Sequence, residues 1–187
     1  LAVVAVLSAL FAGYYVRGPW ASASLADPTE ARPGVTSRLV RAEDGGTDLR
    51  TAVLIPVPVE TAWKILSDYA EWERLFKTVR RKQVAEKLDD SRHHVVSDVM
   101  TPMGTVGLDF IVTHEKVAGG YRAWWDAPVP DLPVNKGEIR ITSAPGGTLF
   151  VYKVRKAYRS YPQFLVNNML LRQQPDIVQT LANRMVE

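Results

Sequence analysis

VPVETAWKILSDYAEWERLF, running from Val57 to Phe76, reads as two short helices placed back to back. The first starts near Pro58–Val59, with proline close to the first helical position and Glu60 in the first turn, both favourable there. Ala62, Ile65, Leu66 and Tyr69 form its apolar stripe. The second spans about Ala70 to Phe76 and adds Trp72, Leu75 and Phe76. Just upstream, Leu49 to Ile55 reads as a strand that Pro56 and Pro58 stop, because proline supplies no ladder donor. Arg38 to Ala42 offers an extra short strand before the Glu43-Asp44-Gly45-Gly46 turn. Downstream come further strand-like stretches and then one long amphipathic helix from Tyr161 to the end. This order predicts an α+β domain: a curved antiparallel sheet of about seven strands wrapped around a long C-terminal helix, with two short helices after the first strand. Sheet and helix leave a gap between them, large enough for a hydrophobic molecule.

Turn signals divide the strands. Asp89-Asp90-Ser91 separates the second from the third, Thr101-Pro102-Met103-Gly104 the third from the fourth, Ala118-Gly119-Gly120 the fourth from the fifth, and Ala144-Pro145-Gly146-Gly147 the sixth from the seventh. Alternation then assigns faces. Val106, Leu108, Phe110 and Val112 share one side, with Thr105, Gly107, Asp109 and Thr113 on the other. Pairing across Pro102-Met103 adds His93, Val95, Ser97 and Val99 to the apolar side. If Pro145 and Gly146 centre the last hairpin, Ile141 faces Phe150, Ile139 faces Tyr152, and Glu138 meets Lys153 on the outside. Ile139, Ile141, Phe150, Tyr152 and Val154 then point inward.

The terminal helix is expected to begin around Pro162, with Ser160 as a cap. Val166, Leu170, Ile177 and Leu181 recur at near-helical intervals, flanked by Met169, Val178 and Met185. Pro175 falls inside this pattern, where it deletes a backbone hydrogen bond and should kink or break the helix. The break is either a boundary between two helices or a hinge that opens the gap for cargo.

The chain has 187 residues, enough for one domain plus an appendage. Lys and Arg number 23 against 20 Asp and Glu, and the +3 balance is too mild and too interleaved to suggest nucleic acid. There is no cysteine, which removes disulfides, thiol nucleophiles and Cys-type zinc sites. Residues 1–17 open on an uncharged run, LAVVAVLSALFAGYYV, and read as a signal peptide or an N-terminal membrane anchor. Ala21-Ser22-Ala23 has the small-x-small form of a cleavage site. A buried core helix is the alternative. Both export readings place the domain outside the cytoplasm, in the periplasm or secreted, or held at the membrane. Residues 18–34, with Pro19, Pro28 and Pro33, read as a linker, and 35–187 as the domain.

From about Asp48 onward the chain resembles the START-like (SRPBCC) superfamily, the helix-grip proteins of polyketide cyclase, Coq10 and Bet v 1 type. Carrying the resemblance are Ile55-Pro56-Val57-Pro58-Val59-Glu60 running into Trp63, Leu66-Ser67-Asp68-Tyr69, then Trp72 and Phe76. Gly104-Thr105-Val106-Gly107 and the Tyr161-Pro162 entry to the last helix complete it. Order and spacing, rather than any one motif, make the match. The resemblance implies a helix-grip fold whose members bind lipids, sterols, quinones, polyketides or plant hormones, and only some of which are enzymes. Fold alone does not assign chemistry.

The function expected is therefore binding or transfer of a hydrophobic small molecule, a lipid, fatty acyl chain, quinone or sterol-like ring. The alternatives are a polyketide cyclase or dehydratase using the same cavity, and an interaction module whose gap is filled by its own side chains. Expected ligand-contacting residues are Trp72, Phe76, Val95, Val99, Leu108, Phe110, Trp125, Ile139, Ile141, Phe150, Tyr152, Met169 and Leu170. Trp124 and Trp125 are neighbours on one strand, so one points inward and the other outward, and Trp125 is assigned the inward place opposite Val112. The outward indole suits a membrane surface or a partner.

Chemistry-bearing motifs are few. His93 and His94 diverge on a strand, and His114 lies on another, so no metal site is expected. No nucleophile elbow, phosphate-cradling loop or nucleotide fingerprint appears, and no cofactor is implied. His93 and Ser97 are the candidates for catalysis, with Glu86 and Tyr152 as further inward polar groups; acid–base work would need two of them at one substrate. Asp68 reads as a turn or cap acceptor. Arg80-Arg81-Lys82 and the trio Lys153, Arg155, Lys156 read as solvated faces, or as a means of steering the domain to anionic lipid.

Overall fold

Two prolines, Pro56 and Pro58, end one strand and launch one helix, and the rest of the topology follows from that corner. The computed structural model describes residues 34–43, 46–76, 84–101 and 104–187. The expectations for residues 1–17, nearly all of the linker and Arg80-Arg81-Lys82 fall outside them. Strands β1 (Thr36–Arg41) and β2 (Thr47–Ile55) lead into helices α1 (Val59–Leu66) and α2 (Trp72–Leu75). Strands β3 (Val84–Lys87), β4 (Arg92–Thr101), β5 (Gly104–Val117), β6 (Gly120–Asp126), β7 (Val134–Ala144) and β8 (Gly147–Ala157) follow, and α3 (Gln163–Val186) closes the chain. Among the described residues the sheet has eight antiparallel strands in the order β1-β2-β8-β7-β6-β5-β4-β3. The extra strand read at Arg38–Ala42 is present, two residues earlier. Among the described residues no helix is long and apolar enough to cross a membrane.

Registers follow the alternation of side chains. Ile141 pairs with Phe150, Ile139 with Tyr152 and Glu138 with Lys153, the arrangement obtained by centring the hairpin on Pro145 and Gly146. Gly146 sits at φ +88°, the left-handed conformation a type II turn demands after proline. Across the β4–β5 hairpin His93, Val95, Ser97 and Val99 face Val112, Phe110, Leu108 and Val106. A slip of one residue would turn these faces inside out, so burial pins the pairing.

The helices differ from expectation at their ends. In α2 only one turn is helical, because Glu71 and Trp72 donate to Asp68 and Tyr69 carbonyls in tight turns instead. Ser160 does not cap α3: Pro162 holds that position without a side-chain cap. Pro175 does not break α3, which is continuous from Gln163 to Val186. Packing on both sides of the proline outweighs the lost hydrogen bond. Val166, Met169 and Leu170 sit in one apolar cluster with Leu49, Leu132 and Val154, and Val178, Leu181, Ala182 and Met185 sit in another with Ile55, Ile141 and Phe150. Gln174 adds a polar tie, its Nε2 donating to the Tyr152 carbonyl at 2.9 Å.

Helix α3 lies mainly over β2, with fewer contacts to β1, β8 and α1. The inner faces of β4, β5 and β6 are therefore left without a helix across most of their width. That asymmetry positions the site.

Candidate functional site

A cavity of about 150 Å³ occupies the uncovered half of the sheet. Its walls are Val95, Ser97 and Val99 from β4, Leu108, Phe110 and Val112 from β5, and Ala123 and Trp125 from β6. Asn135 and Ile139 of β7, and Tyr152 and Lys156 of β8, continue the wall. Tyr69, Trp72 and Phe76 close one side, and Ile177 and Leu181 of α3 the other. The Trp72 and Phe76 rings meet edge to face at 5.7 Å, while Trp125 lies 6.1 Å from Phe110 and 6.0 Å from Tyr152. Trp125 lies beside Gly137, its partner across β7, where a Cβ would run into the indole.

Nine of the thirteen expected contact residues line this space: Trp72, Phe76, Val95, Val99, Leu108, Phe110, Trp125, Ile139 and Tyr152. Four do not. Ile141 and Phe150 are fully buried in the core against α1 and α3, and Met169 and Leu170 pack against Leu49, Leu132 and Tyr158. Periodicity gave their inward direction correctly, but those faces are where α3 already sits. Tyr69, Val112, Ala123, Asn135, Lys156, Ile177 and Leu181 line the cavity without having been singled out for contact.

The polar groups reward closer reading. Ser97 is buried and its Oγ has no hydrogen-bond partner, so no base is paired with it in a nucleophile–base arrangement. Burial raises the Tyr152 phenol pKa, keeping it protonated. Glu86 is exposed and pairs with His94 on the outer side, so it is not an inward group. The trio Lys153, Arg155 and Lys156 is not one solvated face. Lys153 turns outward to Glu138 at 3.4 Å, and Arg155 forms a buried pair with Asp48 at 2.7 Å. Lys156 turns inward to the cavity, where withdrawal from water lowers its pKa.

Next to the cavity, His93, His114 and Tyr69 form a second cluster. His93 faces Val112, two residues from His114 on the same side, so the imidazole centroids lie 4.6 Å apart despite belonging to different strands. The expectation that His114 stands apart is thereby corrected. Tyr69 Oη and His114 Nε2 are 2.7 Å apart. Burial raises the Tyr69 pKa, and burial, aided by His93, pushes His114 down to about 4. Phenol and imidazole are therefore both uncharged at neutral pH and share one hydrogen bond, whose direction follows the imidazole tautomer. Among the described residues no three His, Asp or Glu side chains gather as metal ligands. His93 is half-buried behind Tyr69 and does not reach the cavity wall.

This cluster makes stability depend on pH. An unfolded histidine titrates near 6.5, so between pH 6.5 and about 4 the unfolded chain takes up a proton that native His114 refuses. Stability is full above that window and falls as pH drops through it. With the ring only half withdrawn from water, a loss of about 1–2 kcal/mol is expected after allowing for solvent screening. His114→Gln keeps an acceptor for Tyr69 but cannot titrate, so its melting temperature should fall less between pH 7 and pH 4.5. Equal losses in both proteins would remove His114 as the cause.

On the outer face Trp124 is 38% exposed, with the Arg122 guanidinium 5.9 Å from its ring centroid. Arg122 donates to Glu138 at 2.9 Å and reaches Glu115 at 3.4 Å. Partial burial opposes the Glu138 charge, but Arg122 and Lys153 hold its pKa below the ordinary value. Leu88 and Ile111 are the other apolar side chains exposed nearby, around a shallow depression that also includes His94 and Asp109.

Comparison with known proteins agrees with this geometry. A family model described as polyketide cyclase / dehydrase and lipid transport matches residues 46–183. No curated protein matches the chain. A STAR-related lipid transfer protein (fragment) from Xanthomonas axonopodis is similar in structure, with TM-score 0.70 and 20% identity, covering 88% of this chain and 98% of that one. Human StAR-related lipid transfer protein 5 gives TM-score 0.66 and 14% identity over 99% of this chain and 95% of its own. An aromatase/cyclase from Streptomyces gives TM-score 0.57 and 11% identity, covering 80% and 93%. At such identities these structures establish the shared fold and leave the ligand open.

Proposed function

The chain belongs to the polyketide cyclase / dehydrase and lipid transport family, and from that premise we propose that it binds and transfers a hydrophobic small molecule in the cavity beneath β4, β5 and β6. One observation carries the reading: an apolar hollow survives between sheet and helix, where close packing would otherwise fill the space. At about 150 Å³ it is smaller than the roughly 300–1,000 Å³ of common ligand clefts, so it suits a short molecule or one end of a longer one. A ligand taken from a bilayer is already out of water, so most of the gain of about 0.8 kcal/mol per methylene cancels, and exchange rather than capture is favoured.

Native mass spectrometry of protein purified from cells tests this directly. A co-purified apolar molecule at one per chain is expected, lost on extraction with organic solvent. Protein that carries nothing and leaves the fluorescence of N-phenyl-1-naphthylamine unchanged would overturn the reading. Contact with a membrane surface belongs to the same proposal and is supported by exposed Leu88, Ile111 and Trp124; co-sedimentation with phosphatidylglycerol vesicles tests it. So does an extracytoplasmic location, which rests on the uncharged opening run and is tested by cell fractionation.

A second reading, a cyclase or dehydratase acting on a polyketide-like substrate, is favoured by Ser97 and Tyr152 facing the same space. Under it Ser97→Ala abolishes turnover while ligand still binds; under the first reading Ser97→Ala leaves transfer intact.

A further inference from the structure

Alternation along β8 sends Phe150, Tyr152, Val154 and Lys156 to the inner side of the sheet, and Lys156 arrives at the cavity wall. Its strand neighbours facing outward both find carboxylates, Lys153 with Glu138 and Arg155 with Asp48. Lys156 finds none. Among the described residues its ammonium makes no hydrogen bond and no ion pair; only its backbone carbonyl is engaged, by Gln163. Among the described residues no Asp or Glu lines the cavity. Two more unused donors there are the Ser97 hydroxyl and the Trp72 indole Nε1, both buried and unpartnered, while the Asn135 amide is already committed to the Ala127 carbonyl. The cavity thus holds donors in excess of acceptors, one of them a cation facing apolar walls.

Lys156 is half-buried, and holding an unpaired cation partly withdrawn from water is unfavourable, so its neutralisation by an incoming group is favourable. A hydrocarbon or neutral alcohol would displace water from Lys156 and return little. A cationic head would repel it. A carboxylate supplies both the opposite charge and the missing acceptors, and a hydrogen bond between two ionised groups is stronger than one between neutral groups.

We propose that the ligand is an amphiphilic carboxylic acid, its apolar tail among Trp72, Phe110 and Trp125 and its carboxylate on Lys156. The inference rests on the hydrophobic-ligand reading above and names the head group of that ligand. The lowered Lys156 pKa in the absence of an anion agrees with it, since an arriving carboxylate would restore the proton.

The test uses octanoate and 1-octanol, matched in tail and different in head, titrated into the full chain by calorimetry at pH 7. Octanoate should bind the unaltered protein about ten- to a hundredfold more tightly, the range for hydrogen bonds to charged groups. In Lys156→Met, which keeps the bulk and removes the charge, the two affinities should come within about threefold, through loss of octanoate binding alone. Circular dichroism checks that this variant is folded; losing an unpaired, partly buried charge should leave its melting temperature the same or higher. Equal binding of both probes by the unaltered protein would overturn the head-group assignment and leave the cavity reading standing. A preference for octanoate that persists in Lys156→Met would likewise overturn it. Failure of the unaltered protein to bind either probe would sink the hydrophobic-ligand reading itself.

Discussion

Gly137→Val is expected to abolish uptake of apolar molecules while leaving the sheet folded. A Cβ built at Gly137 lies 2.6 Å from Trp125 Cη2 and 2.8 Å from Cε2, closer still to Cζ2, so the indole cannot keep its present position beside β7. The φ of Gly137 is not in the left-handed region, and valine suits a strand, so the backbone itself accepts the change. What must move is the Trp125 ring, and the space available to it is the cavity it lines. An indole turned into a hollow of about 150 Å³ fills most of it. Titration with N-phenyl-1-naphthylamine should show affinity reduced a hundredfold or more, against a stability loss of about 1–3 kcal/mol for overpacking. Gly137→Val combined with Trp125→Val should recover binding, because the obstructing ring is gone. Unchanged affinity in the single variant would mean that the hollow beneath β4 to β6 is not where apolar molecules bind.

Elements whose pattern is local are legible in the sequence. The two hairpins, β4–β5 and β7–β8, paired as alternation required because one face of each must be buried. Trp125 turned inward and Trp124 outward for the same reason. What alternation cannot supply is the position of α3 across the sheet. Ile141, Phe150, Met169 and Leu170 all point inward, yet α3 lies over β2 and not over β4 to β6, so these four became core and the cavity formed elsewhere. Two other differences follow from period two. Lys153, Arg155 and Lys156 share a charge, but odd and even positions face opposite sides. His114 belongs to a different strand from His93, but its parity with Val112 places the two side by side. Pro175 shows the reverse case, a strong local signal overridden by packing on both flanks.

Asp48→Ala should be the most destabilising exchange of a charged side chain among those described. Asp48 and Arg155 lie 107 positions apart and meet because β2 pairs with β8, the step that brings the first and last parts of the sheet together. Arg155 Nε donates to Asp48 Oδ1 at 2.7 Å and its Nη2 lies 2.7 Å from the same oxygen, with side-chain exposures of only 13% and 9%. Removing the carboxylate takes away the charged acceptor that Nε and Nη2 share in a place water scarcely reaches, a loss of about 3–5 kcal/mol. For a domain of this size that corresponds to a melting temperature lower by roughly 10 °C. Glu138→Ala removes a carboxylate from the more exposed outer network, where Arg122 and Lys153 keep access to solvent, and should cost about 1 kcal/mol or less. Replacing both partners, Asp48→Leu with Arg155→Met, should restore most of the loss, since an apolar pair of similar bulk tolerates the site better than a guanidinium deprived of Asp48. Thermal denaturation of the three variants separates these cases. If Asp48→Ala melted within a degree or two of the unaltered protein, the Asp48 carboxylate would not be what holds Arg155 at this seam. The seam between β2 and β8 would then rest on its backbone ladder and on apolar contacts such as Leu49 with Val154.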